Sequence, residues 1–177
     1  MSNIENILKE IIPYPADHSH REGYTNEHII DSLNSEDKDL VEKGLIDLLD
    51  ENPWDTFIVE TLAYMKSVQS IPVLRRLLER CKHGFDKLSI AASIYEICKD
   101  KAMIDIAIEE FERFEKRIGI FRKENIMASF YYLSKFQNEK TNNLISKYLD
   151  HKNYLVSYNA KRFFVKNMDF EHEKNMD

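Results

Sequence analysis

The stretch SIPVLRRLLERCKHGFDKLSIAASIYEICK, residues 70–99, constrains this chain most, because its apolar residues have the period of two helices separated by a glycine. Ser70 is placed to cap the first helix and Pro72 suits its first turn, while Leu74, Leu77, Leu78 and Cys81 recur along one face. Gly84 is the expected stop. In the second helix Leu88, Ala91, Ala92, Tyr95 and Cys98 share a face, with Ile90, Ile94 and Ile97 beside it. Apolar residues thus cover more than half its circumference, which makes it the inner helix. Two helices cannot bury such faces alone, and a unit that needs a neighbour on each side is the physical basis of a stacked array.

The same signature extends along the chain. Ile4, Ile7, Leu8 and Ile11 give residues 2–12 an amphipathic helix that ends at Pro13 and Pro15. A polar loop over 13–25 and a short helix from Thr25 to Leu33 follow. Ser35 is expected to cap residues 36–51, with Leu40, Leu45, Leu48 and Leu49 inward, and Asn52, Pro53 and Asp55 form the next start signal. That helix runs to about Ser67 with Phe57, Ile58, Leu62 and Met65 inward. Further helical patterns occupy 103–114, 121–136, 139–150 and 153–167. Small residues of the second helices, Ala63, Ala92, Ala128 and Ala160, align with steps of 29, 36 and 32 residues. First helices align through Leu48, Leu77, Phe111 and Leu144 with steps of 29, 34 and 33.

On these two ladders residues 36–167 resemble the HEAT/armadillo-like family of α-solenoids. Asp55, Asp86 and Arg122 stand where that family opens its second helices with charged residues. The resemblance implies an all-α fold: a HEAT-like right-handed superhelix of about four helix pairs in a single domain, 1–177. Residues 1–35 are its N-terminal capping helix and polar loop, 36–167 the repeats and 168–177 a frayed tail. Leu77, Leu78, Ala92, Ile94 and Phe130 are expected core positions.

Only four Gly and four Pro in 177 residues leave little turn chemistry for a β fold. No apolar run reaches the length of a membrane span and the first residues carry no basic leader, so a cytoplasmic protein with no membrane partner is expected. Cys81 and Cys98 read as reduced core thiols. With 25 Lys and Arg against 31 Asp and Glu, the net charge of −6 disfavours nucleic acid and permits a basic partner.

No catalytic residue or cofactor is expected. Gly23, Gly44, Gly84 and Gly119 lie too far apart for a phosphate loop, and neither GxSxG nor HExxH occurs. Glu109 and Glu110, about 100° apart on a helix, read as a solvated edge and not as an acid/base pair. Asp17, His18, His20, Glu22 and His28 are metal-capable, but a polar segment without a closing ligand set reads as solvated surface. His83 and His151, next to helix ends, read as caps or surface residues.

In α-solenoids the second helices line the concave side. The positions there are Glu60, Tyr64, Ser67, Ser89, Ser93, Glu96, Asn125, Ser129, Tyr132, Ser157, Lys161 and Phe164, a small, polar and aromatic row suited to protein binding. The expectation is a non-catalytic protein-protein interaction module, in one version an acidic immunity-type inhibitor of a toxin domain, by fold-level analogy. One alternative is a nucleic-acid-acting enzyme of the HEAT-like DNA glycosylase type, with Trp54 and Asp55 as its aromatic and acidic residues. Another is an assembly scaffold or adaptor.

Overall fold

A computed structural model describes residues 3–13, 25–51, 53, 55–82, 84–119 and 121–174, with side chains from 4 to 164. Among the described residues there are ten α-helices and no strand. They fall into two compact units, Met1–Arg80 and Cys81–Asp177.

Unit 1 begins with α1, Asn3–Ile11, and α2, Glu27–Ser32. Next come α3, Ser35–Glu51, α4, Thr56–Tyr64, a 3₁₀ turn over Val68–Ser70 and α5, Ile71–Arg80. Three start signals differ from expectation. Ser35 is already helical, and Asn34 forms the cap, accepting from the Asp37 N–H at 2.9 Å while donating to the Asp37 carboxylate at 2.8 Å. Asp55 caps α4 by accepting from the Phe57 N–H at 3.0 Å; Asn52 and Trp54 lie outside the described residues. Ser67 caps the 3₁₀ turn through the Ser70 N–H, and Ser70 itself turns back onto the Ser67 carbonyl.

The buried stripe of α3 is Val41, Leu45 and Leu49, whereas Leu40 is 46% exposed and Leu48 half-buried. One residue is about 100° on a helix, so the face is rotated from the one the leucines mark. Gly44 lets α1 approach α3: a Cβ there would stand 2.6 Å from the Leu8 Cδ1.

Unit 2 contains α6, Phe85–Cys98, α7, Ala102–Lys116, α8, Arg122–Lys135, α9, Glu139–Ser146, and α10, Tyr154–Lys174. Helical backbone thus continues past Met168, where the apolar pattern ends. Residues 88–94 of α6 are all buried, as an inner helix requires. Each helix touches the next and the next but one: α6 packs on α7 and α8, α7 on α8 and α9, and α8 on α9 and α10. Next-but-one helices run parallel. Asn159 of α10 meets Met127 of α8 at 3.7 Å and Phe163 meets Tyr131 at 6.1 Å, a constant step of 32 residues. Phe111, Phe130 and Tyr148 form an aromatic centre with ring separations of 5.4–6.2 Å.

Gly84 does not stop α5, which ends four residues earlier. At φ 106° it opens α6 instead, and its N–H donates to Glu110 at 3.1 Å. The left-handed residues that do end helices are Lys66, Lys99 and Gln137, after α4, α6 and α8. The expected core positions Leu77, Leu78, Ala92, Ile94 and Phe130 are all buried. No described helix is long and apolar enough to cross a membrane.

Candidate functional site

The site in unit 1 is built from a buried amide. Asn26, just before α2, is buried and donates to the Ile11 carbonyl at 3.2 Å and to the Thr61 hydroxyl at 2.8 Å. The Thr61 hydroxyl in turn donates to the Phe57 carbonyl at 2.7 Å. A six-residue helix such as α2 is marginal by itself, so this network is what sets its place against α1 and α4. Asp31 at its far end then meets Tyr64 of α4, whose hydroxyl donates to the carboxylate 2.9 Å from both oxygens. That hydrogen bond holds the Tyr64 hydroxyl above the usual phenol range; burial and the charges of Asp31 and Glu27 act in the same sense.

Tyr64 and Asp31 line a cleft of about 500 Å³. Ile30 and Met65 give it apolar surface, Ser35 a hydroxyl, and Asp31, Asp39 and Glu42 face a single lysine, Lys38. Excess negative charge beside an aromatic ring and a thioether suits a cationic side chain with an apolar stem. The surrounding unit has the same bias. Residues 1–80 hold 8 Lys and Arg against 16 Asp and Glu, a net −8, while residues 81–177 hold 17 against 15, a net +2.

No protein-family model matches this chain, and no curated protein or solved structure shows significant similarity to it.

The twelve residues of the sequence-derived row divide. Glu60, Tyr64 and Ser67 belong to unit 1 and the other nine to unit 2. Ser67, Ser89, Ser93 and Ser129 are buried and offer no surface. The register slip in α8 has a direct cause: Ala128, used as the anchor, is exposed, and its neighbour Ser129 faces inward, donating to the Asn125 carbonyl at 2.6 Å. Glu96 is half-buried and bound to Lys135 at 2.9 Å, which neutralises it within the chain. Glu60, Asn125, Tyr132, Ser157 and Phe164 are half-buried, Lys161 is exposed, and Tyr64 alone of the row lines the cleft. Asn26, Asp31, Asp39 and Glu42 were not in that row; the acidic excess of the first eighty residues bears on the three carboxylates, and nothing in the sequence marks Asn26.

Glu109 and Glu110 are not one solvated edge. Glu109 is exposed and pairs with Arg113 at 2.6 Å. Glu110 is fully buried, accepting from the Gly84 N–H and lying 3.4 Å from Lys87 and 3.6 Å from Arg113, where it clamps the start of α6 onto α7. Cys81 is buried, as a core thiol should be, but Cys98 is exposed. His28 is exposed, His151 caps Asn153 through Nδ1 at 3.1 Å, and Asp17, His18, His20, Glu22 and His83 lie outside the described residues. Among the described residues no group of three His, Cys, Asp or Glu is arranged to hold a metal ion.

Proposed function

We propose that this chain is a non-catalytic protein-binding module, cytoplasmic and HEAT-like in its helical stacking, and that the Tyr64 cleft receives a lysine or arginine side chain of a basic partner. The observation that carries this reading is the cleft itself: three carboxylates against one lysine, with a tyrosine pinned at its edge. A pinned ring with few rotors to freeze suits an interface anchor. The stacking reading draws support from the parallel next-but-one helices of unit 2 and from the left-handed residue that ends each of α4, α6 and α8. An acidic cleft favours protein over the nucleic-acid alternative, because phosphates would be repelled there. An inhibitor that blocks a basic toxin surface is one module of this kind, and an adaptor is another.

Calorimetric titration of a lysine- and arginine-rich peptide into the full chain tests the reading. Tyr64→Ala and Asp31→Asn should each weaken binding by about 2 kcal/mol, and the effect of Asp31→Asn should shrink at high salt. Glu79→Ala and Glu112→Ala, on α5 and α7, should leave binding unchanged. Equal losses in these two controls, or no binding by the unaltered chain, would rule the cleft out.

A further inference from the structure

Unit 2 carries exposed apolar residues set among basic ones, none of which lines the cleft. Ile118 is fully exposed in the turn between α7 and α8, and Phe121 at the end of that turn is 67% exposed. On α10, Tyr154, Leu155 and Tyr158 are exposed on one face, and the two tyrosine rings stack with centroids 6.0 Å apart. The parallel register of α8 and α10, a step of 32 residues, sets Arg122 level with Tyr154. The turn bearing Phe121 and the exposed start of α10 therefore lie at the same end of unit 2.

The charge along these segments opposes that of the chain. Residues 115–124 contain Lys116, Arg117, Arg122 and Lys123 against Glu115 and Glu124, with Lys116 paired to Glu112 at 3.5 Å, and residues 147–164 contain four Lys and Arg against Asp150. That is a formal +2 and +3 in a chain of −6. Lys161 and Arg162 continue the exposed face of Tyr154 and Tyr158 by the helical period, about two turns along α10 from that end and level with Ser129 and Phe130 of α8 in the same register.

We propose that this end of unit 2, contrary to the expectation of no membrane partner, docks peripherally on an anionic membrane surface. Ile118 and Phe121 enter the acyl boundary, the tyrosines lie at the level of the headgroups, and the basic side chains face anionic lipid. Aliphatic side chains at the tip of a turn gain from a soft apolar medium, whereas nucleic-acid bases stack on flat rings and gain little from an isoleucine. Tyrosine prefers the membrane interface because its ring is apolar and its hydroxyl polar. Basic residues beside such a surface are drawn to anionic headgroups within about a Debye length, so the attachment is salt-sensitive.

Co-sedimentation of the full chain with vesicles tests this. The chain should pellet with vesicles of phosphatidylcholine mixed with phosphatidylserine, not with phosphatidylcholine alone, and less so as salt rises above physiological strength. The double variant Ile118→Ser with Phe121→Ser should lower the partition constant roughly tenfold or more, and so should Lys161→Glu with Arg162→Glu. All four positions are exposed, so circular dichroism should be unchanged. No pelleting with either vesicle, equal pelleting with both, or binding untouched by both double variants would overturn the proposal. Retention of a single-stranded RNA by a chain that ignores the vesicles would overturn it too, in favour of nucleic acid.

Discussion

Adjacent residues on a helix can have opposite fates, and Glu109 and Glu110 show what that means energetically. Glu110 is held by one backbone N–H and two cations, so Glu110→Ala leaves the half-buried Lys87 and Gly84 amide without their buried carboxylate. Its cost in urea unfolding should be about 3 kcal/mol, the low end for breaking a buried pair. Glu109→Ala, which removes an exposed i,i+4 contact, should cost under about 0.5 kcal/mol. Equal costs would mean that Glu110 is not the clamp. The cysteines divide in the same way. Burial, with Asp86 and Glu110 adding and Lys87 opposing, pushes the Cys81 thiol up to about 11 from an ordinary 9.0. The folded chain keeps that proton where the unfolded chain has lost it. Stability from this group is therefore complete below pH 9 and declines as the pH rises from 9 towards about 11, a decline that Cys81→Ala should remove. At neutral pH iodoacetamide should label the exposed Cys98 and reach Cys81 only after unfolding.

At the scale of elements, the lengths of the helices follow local period, while their ends follow side chains that reach back to the backbone. Asn34, Asp55, Ser67 and Asn138 are caps of this kind, each accepting from an N–H two or three residues on. The C-terminal ends of α4, α6 and α8 instead put Lys66, Lys99 and Gln137 at φ between 46° and 56°. A side chain in that region costs about 1 kcal/mol relative to glycine. Gln137→Gly should thus raise the unfolding free energy by about 0.5–1 kcal/mol, read as a rise in the thermal midpoint, and a fall in the midpoint would count against the assigned geometry. In α6 the hydroxyls of Ser89 and Ser93 are buried without a hydrogen-bond partner among the described residues. Small side chains are what such a closely covered helix requires at those positions, whatever their polarity.

For the whole molecule, charge divides by unit: −8 in residues 1–80 and +2 in residues 81–177. The two proposed surfaces therefore call for opposite partners and should be separable by mutation. Tyr64→Ala should abolish peptide binding and spare vesicle binding; Lys161→Glu with Arg162→Glu should do the reverse. Combined, their free-energy effects should add within about 0.5 kcal/mol. A single variant that removes both activities would mean that the two surfaces are not independent.

The sequence by itself determined the all-helical class, the number and spacing of the later helices, and the inner position of α6, because a 3.6-residue apolar period is a local property. Leu77, Ala92, Ile94 and Phe130 were legible as core for that reason. Only the tertiary structure decided which side of each helix is covered. Leu40 yields its place to Val41, Ala128 to Ser129, and Glu110 is drawn inside beside Glu109, each a shift of one residue and about 100° of rotation. The Tyr64 cleft was illegible for a related reason. Its defining contact joins Asp31 and Tyr64 across 33 residues, and it exists because Asn26 ties α2 to α1 and α4 through hydrogen bonds that leave no period in the chain.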